Sequence, residues 1–286
     1  MSHRYNTKVK QVSIVAVLVI LLFSIIPIFS APTTSSNVKL IVSTSPEFKV
    51  EAGYNVSFPF LQGNSMLTSN NNIKIKSILG VSPIAVTAQV DAVLTPLAVM
   101  EVNLGAAVGT GWDLTLFGKD LMGIKLGAVR DEDLLVSDQL GGAYLKSRLG
   151  LALQFDTGAI LEGEWKSILL RTYHEINAQI YSGATNSQWW EFENGGIKEN
   201  AFNYKGEYVI GYNMPLIVNT VAVMVEHTIN SSFSDVTPRS DYVSIVLGLI
   251  ANVHLLENLD LTIIPQVNLE SGLDWKRLVG MVNYSF

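Results

Sequence analysis

From Ala201 to Asn213 apolar and polar residues alternate, with Phe202, Tyr204, Gly206, Tyr208, Ile210 and Tyr212 on one face and Asn203, Lys205, Glu207, Val209, Gly211 and Asn213 on the other. A period of two is the mark of a β-strand with two unlike faces. The split recurs from Tyr242 to Leu255, from Leu259 to Glu270 and from Glu47 to Phe60. Read this way, the chain predicts strands at 47–60, 72–92, 97–111, 140–155, 160–181, 201–213, 216–230, 241–255, 259–270 and 273–286. No apolar run after Ala31 approaches the roughly 20 residues of a helical membrane span.

The connections sort by length. Short turns are expected near Leu94–Pro96, Asp156–Ala159, Met214–Pro215 and Leu256–Asn258, and longer ones near Leu61–Asn71, Trp112–Gln139, Ser182–Asn200 and Asn230–Ser240. Turns on one side and loops on the other are the layout of an outer-membrane barrel. The expectation is an all-β fold: one transmembrane, antiparallel, up-and-down β-barrel of about ten strands over 47–286. An even count puts both ends on one, periplasmic, side, with 31–46 a periplasmic N-terminal segment. Two weak points leave eight to twelve strands open. The alternation slips by one residue between Gly80 and Ile84, where Pro83 suggests a bulge or break, and Asn186–Phe192 could form a further strand.

A secreted β-sandwich also alternates, so other features have to decide. Phe202 and Tyr212 share a face ten residues apart. At about 3.3 Å per residue and a tilt of about 40°, that spans roughly 25 Å, the height of a lipid-facing band between its aromatic girdles. The chain end RLVGMVNYSF alternates through Leu278, Gly280, Val282, Tyr284 and Phe286. It resembles the signal by which Gram-negative outer-membrane proteins are recognised by the barrel-assembly machinery, with Tyr284 and Phe286 as its aromatics. The small residue of that signal usually lies one place nearer the end than Gly280. The segment LTPLAVMEVNLGAAVGTGW, in turn, looks like segments of poorly characterised spirochaetal outer-membrane proteins. These resemblances name a class, bacterial outer-membrane β-barrels, and imply location in the outer membrane, with lipid and the assembly machinery as partners.

The N-terminus supports export. Arg4, Lys8 and Lys10 precede an apolar run from Val12 to Ile26, then Pro27 and the small residues Ser30 and Ala31, the order of a secretory signal peptide over 1–30. An uncleaved anchor is the competing reading, and the helix breaker and small residues favour cleavage. Removing 1–30 takes away three bases and no acid, moving the formal net charge from −6 to −9. Such a chain does not neutralise nucleic-acid phosphates. With no cysteine it has neither disulfides nor the acylated residue of a lipoprotein.

No catalytic motif, metal site or cofactor site is expected. His174 and His227 fall on the lipid-facing parity, which suits interfacial residues better than general bases. The acidic groups Glu162/Glu164, Glu191/Glu193 and Asp131–Asp133 could hold a cation through oxygen ligands, but such clusters near turns are usually solvated. GTGWDL lacks the third glycine and the strand-to-helix setting of a phosphate loop. Glu101, Arg148, Arg171, Glu175, Lys205, Glu207, Glu226 and Arg277 take the inward parity, four acids and four bases. Mixed charge in a narrow barrel points to a salt-bridged interior of low conductance. The longest loop carries Trp112, Leu114, Leu116, Phe117 and Met122, an apolar stretch that reads as a mouth or lid for a hydrophobic solute, as an extension of the flanking strands, or as a plug. The expected role is passive passage or binding of small solutes, some of them hydrophobic; the alternative is a surface adhesin using external loops such as 182–200, with Trp189 and Trp190.

Overall fold

Alternation of this kind satisfies the backbone in lipid only if the sheet closes, because an open edge would leave unpaired N–H and C=O groups in hydrocarbon. A computed structural model shows that closure. It describes residues 31–286 except 46, 117, 130–134, 186–187, 231–242 and 271. The expected signal peptide, 1–30, lies outside the described residues.

The strands are β1 (Thr33–Ser43), β2 (Glu47–Pro59), β3 (Asn72–Ser82), β4 (Ala85–Leu97), β5 (Met100–Gly111), β6 (Asp113–Leu116), β7 (Lys119–Met122), β8 (Ile124–Val129) and β9 (Val136–Ser137). They continue as β10 (Tyr144–Asp156), β11 (Ser167–Tyr181), β12 (Gln188–Phe192), β13 (Ala201–Asn213), β14 (Val218–Ile229), β15 (Val243–Leu256), β16 (Leu259–Asn268) and β17 (Asp274–Ser285). The barrel wall runs β1-β2-β3-β4-β5-β10-β11-β13-β14-β15-β16-β17 and returns to β1, twelve strands, each antiparallel to its neighbours. Closure is the β1–β17 ladder, Asn37 opposite Ser285 through Ser43 opposite Val279.

The count is therefore twelve, at the upper end of the expected range, and two features account for the difference from ten. Residues 33–43, expected as part of a periplasmic segment, form the closing strand β1. The stretch 72–92, expected as one strand, is a hairpin of β3 and β4 with Ser82 opposite Ala85 and Pro83–Ile84 at its tip. Pro83 lacks an N–H and sits where none is needed for the ladder. Leu94–Pro96 lies inside β4, and the turn falls at 98–99. Asn186–Phe192 does hold a strand, β12, but outside the wall.

Both chain ends lie on one rim, the terminal rim, together with connections 60–71, 98–99, 157–166, 214–217 and 257–258. The opposite rim, the loop rim, carries 83–84 and the described parts of 112–143 and 182–200, and there β1, β14 and β16 end and β2, β15 and β17 begin. Segment 60–71, expected as an external loop, lies on the terminal rim. Adding β1 before it reverses the direction of β2.

Leu104, Leu149, Ile176, Phe202, Ile210 and Leu249 are exposed on the outer face. An apolar face of this extent would associate in water and suits hydrocarbon. Aromatics bracket it: Phe48 and Phe58 on β2, Phe202 and Tyr212 on β13, Trp275 and Tyr284 on β17, in each case nine or ten residues apart. That spacing corresponds to a band of about 25 Å. Near the terminal rim Trp165 stacks on Tyr212 at 6.3 Å, and the Tyr212 hydroxyl donates to the Trp165 carbonyl.

Candidate functional site

Strand parity decides what faces the lumen. Of the eight residues expected to point inward, Glu101, Arg148, Arg171, Glu175 and Lys205 line one polar cavity, and all but Glu101 are ion-paired, Glu207, Glu226 and Arg277 included. Lys146 pairs with Glu175 at 2.8 Å, Arg171 with Glu207 at 2.7 Å, Lys205 with Glu226 at 2.5 Å, and Arg277 with Glu47 at 3.2 Å. Arg148 grips Asp91 with two bonds, Nε to Oδ1 at 2.9 Å and Nη2 to Oδ2 at 2.5 Å. Glu101 makes no ion pair among the described residues.

The Arg148–Asp91 bridge crosses an intervening strand. Asp91 on β4, Gly105 on β5 and Arg148 on β10 lie in register across three strands. A Cβ on Gly105 would stand 1.9 Å from Asp91 Oδ1 and 2.7 Å from Arg148 Nε. Only glycine leaves the path open. Further carboxylate contacts come from the wall itself: Gln89 donates to Asp91, while Tyr173 and Asn177 donate to Glu175.

These groups enclose a polar cavity of about 260 Å³ lined by Lys76, Glu101, Asn103, Lys146, Arg148, Arg171, Tyr173, Glu175 and Lys205 together with Val93 and Ala152. Sequence reasoning missed Lys76 and Asp91. In an unbroken strand from residue 72, Asp91 would share the parity of Ile73, Ile75 and Leu79 and face lipid; the hairpin at Pro83 turns it inward. The slip between Gly80 and Ile84 was the available signal.

The loop rim above the cavity is partly covered. β8, β9 and β12 form a three-stranded sheet built from the two longest connections. Its Ile124, Trp190 and Phe192 pack against Ala85 and Tyr181 of the wall, and Tyr144 stacks on Phe192 at 4.6 Å. Trp190 Nε1 donates to Asn200 Oδ1 at 2.9 Å. The Tyr181 hydroxyl donates to Asp138, and Lys49 of β2 reaches Glu193 at 2.8 Å, tying the cover to the opposite wall. The remainder of the 112–143 connection forms the hairpin β6–β7 at the rim.

The apolar loop residues disperse rather than converge. Trp112 Nε1 donates to the Pro83 carbonyl, and Leu114 faces Leu121 across the hairpin. Leu116 lines a rim pocket of about 210 Å³ with Phe48, Ile84 and Leu121, while Met122 borders a neighbouring one. Phe117 lies outside the described residues, as do Asp131–Asp133. Glu191 and Glu193 are spent on Lys125 and Lys49. His174 and His227 face outward on either side of Gly206, with His174 Nδ1 at 2.7 Å from the Tyr204 hydroxyl and His227 stacked on Tyr208 at 5.9 Å. At the terminal rim Tyr284 and Phe286 meet edge to face at 4.9 Å.

No family model matches this chain, and no curated protein does. Among solved structures, a NanC porin is 8% identical with a TM-score of 0.42, covering 88% of this chain and 98% of its own. An outer membrane channel from Pseudomonas putida F1 is 12% identical with a TM-score of 0.42, covering 90% of this chain and 97% of its own. CdiB from Acinetobacter baumannii is 8% identical with a TM-score of 0.40; the match covers 88% of this chain but spans 60% of the CdiB chain. At these identities and scores the likeness is one of general class, a closed antiparallel barrel, and bears on neither ligand nor activity.

Proposed function

We propose that this chain is a bacterial outer-membrane barrel, with both ends in the periplasm and the loop rim outside, that passes or binds small polar solutes at a limited rate. The supporting observation is the ion-paired cavity of about 260 Å³ enclosed by a wall whose outer face is apolar. Twelve strands fall between barrels that side chains fill and those that leave an open channel. A cover over part of the loop rim narrows the path further. In this reading Tyr284 and Phe286 serve recognition by the assembly machinery, and lipid contacts the outer wall. Small hydrophobic solutes would meet the rim pocket of Phe48, Ile84, Leu116 and Leu121, away from the charged lumen. No catalysis or cofactor is invoked.

The adhesin alternative needs loop aromatics presented to a partner. Trp189 and Trp190 are 6% and 0% exposed, so connection 182–200 offers neither as an anchor. Single-channel recording in a planar bilayer tests the proposal, using detergent-purified protein whose gel mobility shifts on boiling. Small discrete steps are expected; heat-shifting protein without steps would overturn passage.

A further inference from the structure

The four ion pairs around the cavity share an asymmetry. The side chains of Arg148 and Asp91 are 19% and 3% exposed, and those of Lys146 and Glu175 are 21% and 3%. For Arg171 and Glu207 the values are 37% and 20%, and for Lys205 and Glu226 they are 31% and 27%. In every pair the acid lies deeper in the wall and the base stands nearer the lumen.

Hydrogen-bond accounting sharpens the contrast. The two deepest carboxylates are saturated from the wall side: Asp91 accepts two bonds from Arg148 and one from Gln89, and Glu175 accepts from Lys146, Tyr173 and Asn177. The bases keep donors in reserve. A guanidinium has five N–H groups and an ammonium three. Arg148 spends two on Asp91 and Arg171 one on Glu207, the latter held over the Tyr173 ring at 5.4 Å. Lys76 lines the same cavity and stands opposite Asp91 in the β3–β4 ladder, though it makes no ion pair among the described residues. Formal charge around the cavity balances, five bases against Glu101, Glu175, Asp91, Glu207 and Glu226, but the last three acids are set back behind the bases they hold and do not line it. An anion entering the cavity therefore meets the spare N–H donors of the bases before the carboxylates behind them.

We propose that the lumen is anion-selective and that Lys76, Arg148, Arg171 and Lys205 form a subsite for the carboxylate of a small organic acid. The charge-assisted, forked geometry of arginine suits that group. This rests on the passage reading, and the experiment separates the two. The full-length protein, purified from membranes in detergent, is placed in a planar bilayer between about 1 M and about 0.1 M KCl; at the higher salt the screening length is only about 3 Å, so charges on the rims contribute little. The reversal potential should lie on the chloride side, and millimolar citrate should block the current. Lys76→Gln should lower the chloride-to-potassium permeability ratio roughly sevenfold, the square of the Boltzmann factor for a unit charge about 7 Å away in a water-filled lumen because the charge attracts one ion and repels the other, and weaken citrate block at least about threefold. Glu101→Gln should raise the ratio. A conducting protein that is unselective or prefers potassium overturns anion selectivity and leaves passage standing. Selectivity and block unchanged in Lys76→Gln overturn the subsite. Heat-shifting protein that gives no steps overturns passage and the proposal with it.

Discussion

Asp91→Asn should destabilise the barrel by about 3 kcal/mol or more, because it leaves the Arg148 guanidinium enclosed without its counter-charge. The magnitude follows from burial. Asp91 is 3% and Arg148 19% exposed, so water compensates little for a lost partner. Glu207→Gln is the internal comparison: Arg171 is 37% exposed, its charge is screened by lumen water, and removal of its partner should cost less than about 1 kcal/mol. The assay is reversible urea unfolding in lipid vesicles, followed by tryptophan fluorescence. Replacing both members of the buried pair, Asp91→Asn with Arg148→Gln, should recover most of the loss, since what costs free energy is the orphaned charge rather than the missing bond. Gly105→Ala should reproduce much of the defect without removing a charge, because its Cβ would stand 1.9 Å from Asp91 Oδ1. If Asp91→Asn and Glu207→Gln cost the same, within about 1 kcal/mol of zero, the region around Arg148 is as wet as bulk solvent and the partly filled lumen argued above is wrong.

Trp190→Ala should unseat the cover, since the side chain is fully buried against Ile124, Tyr181 and Ala85; larger single-channel steps with the heat-shift intact are the expected readout. Gly206→Val should displace His227, whose Cε1 lies 2.3 Å from the position of a Cβ there, and lower the urea midpoint; His227→Ala in the same protein should restore part of it. Phe286→Ser should reduce the barrel found in outer-membrane fractions while leaving refolding from urea in vitro unchanged. Equal losses in both measurements would assign Phe286 to the fold, through its backbone bond to the Ser36 carbonyl and its contact with Tyr284, rather than to recognition.

The wall was legible where two conditions coincided: one face apolar and the other polar, over a full membrane crossing. β13 meets both, and its bounds, Ala201–Asn213, match the alternation that announces it. β1 does not. Thr34 and Ser36 occupy its outward positions toward the terminal rim, beyond the apolar band, and Ile41 breaks the contrast from inside. The cover was illegible for a different reason. Its strands are short, and its core is made by Trp190 meeting Ile124 and Tyr181 across separate connections, a contact that periodicity within one segment does not register.

The two misreadings of the wall also hid one another. Omitting β1 and fusing β3 with β4 each removed one strand, so the count remained even and both ends still fell on one side. Evenness tests topology modulo two and is blind to paired errors. The lumen charges survived because inward parity is a property of each strand alone: Arg148, Arg171 and Lys205 face inward whatever the number of strands around them. Asp91 did not survive, because its parity depends on where the preceding strand ends. A residue's side of the wall is thus as secure as the nearest register break, and here that break, at Pro83, folds β4 back on β3 so that Asp91, the carboxylate that Arg148 holds, lies opposite Lys76 on the inner face. The reversal at Pro83 therefore sets both contacts of Asp91, laying it opposite Lys76 in the β3–β4 ladder and within reach of Arg148 across Gly105.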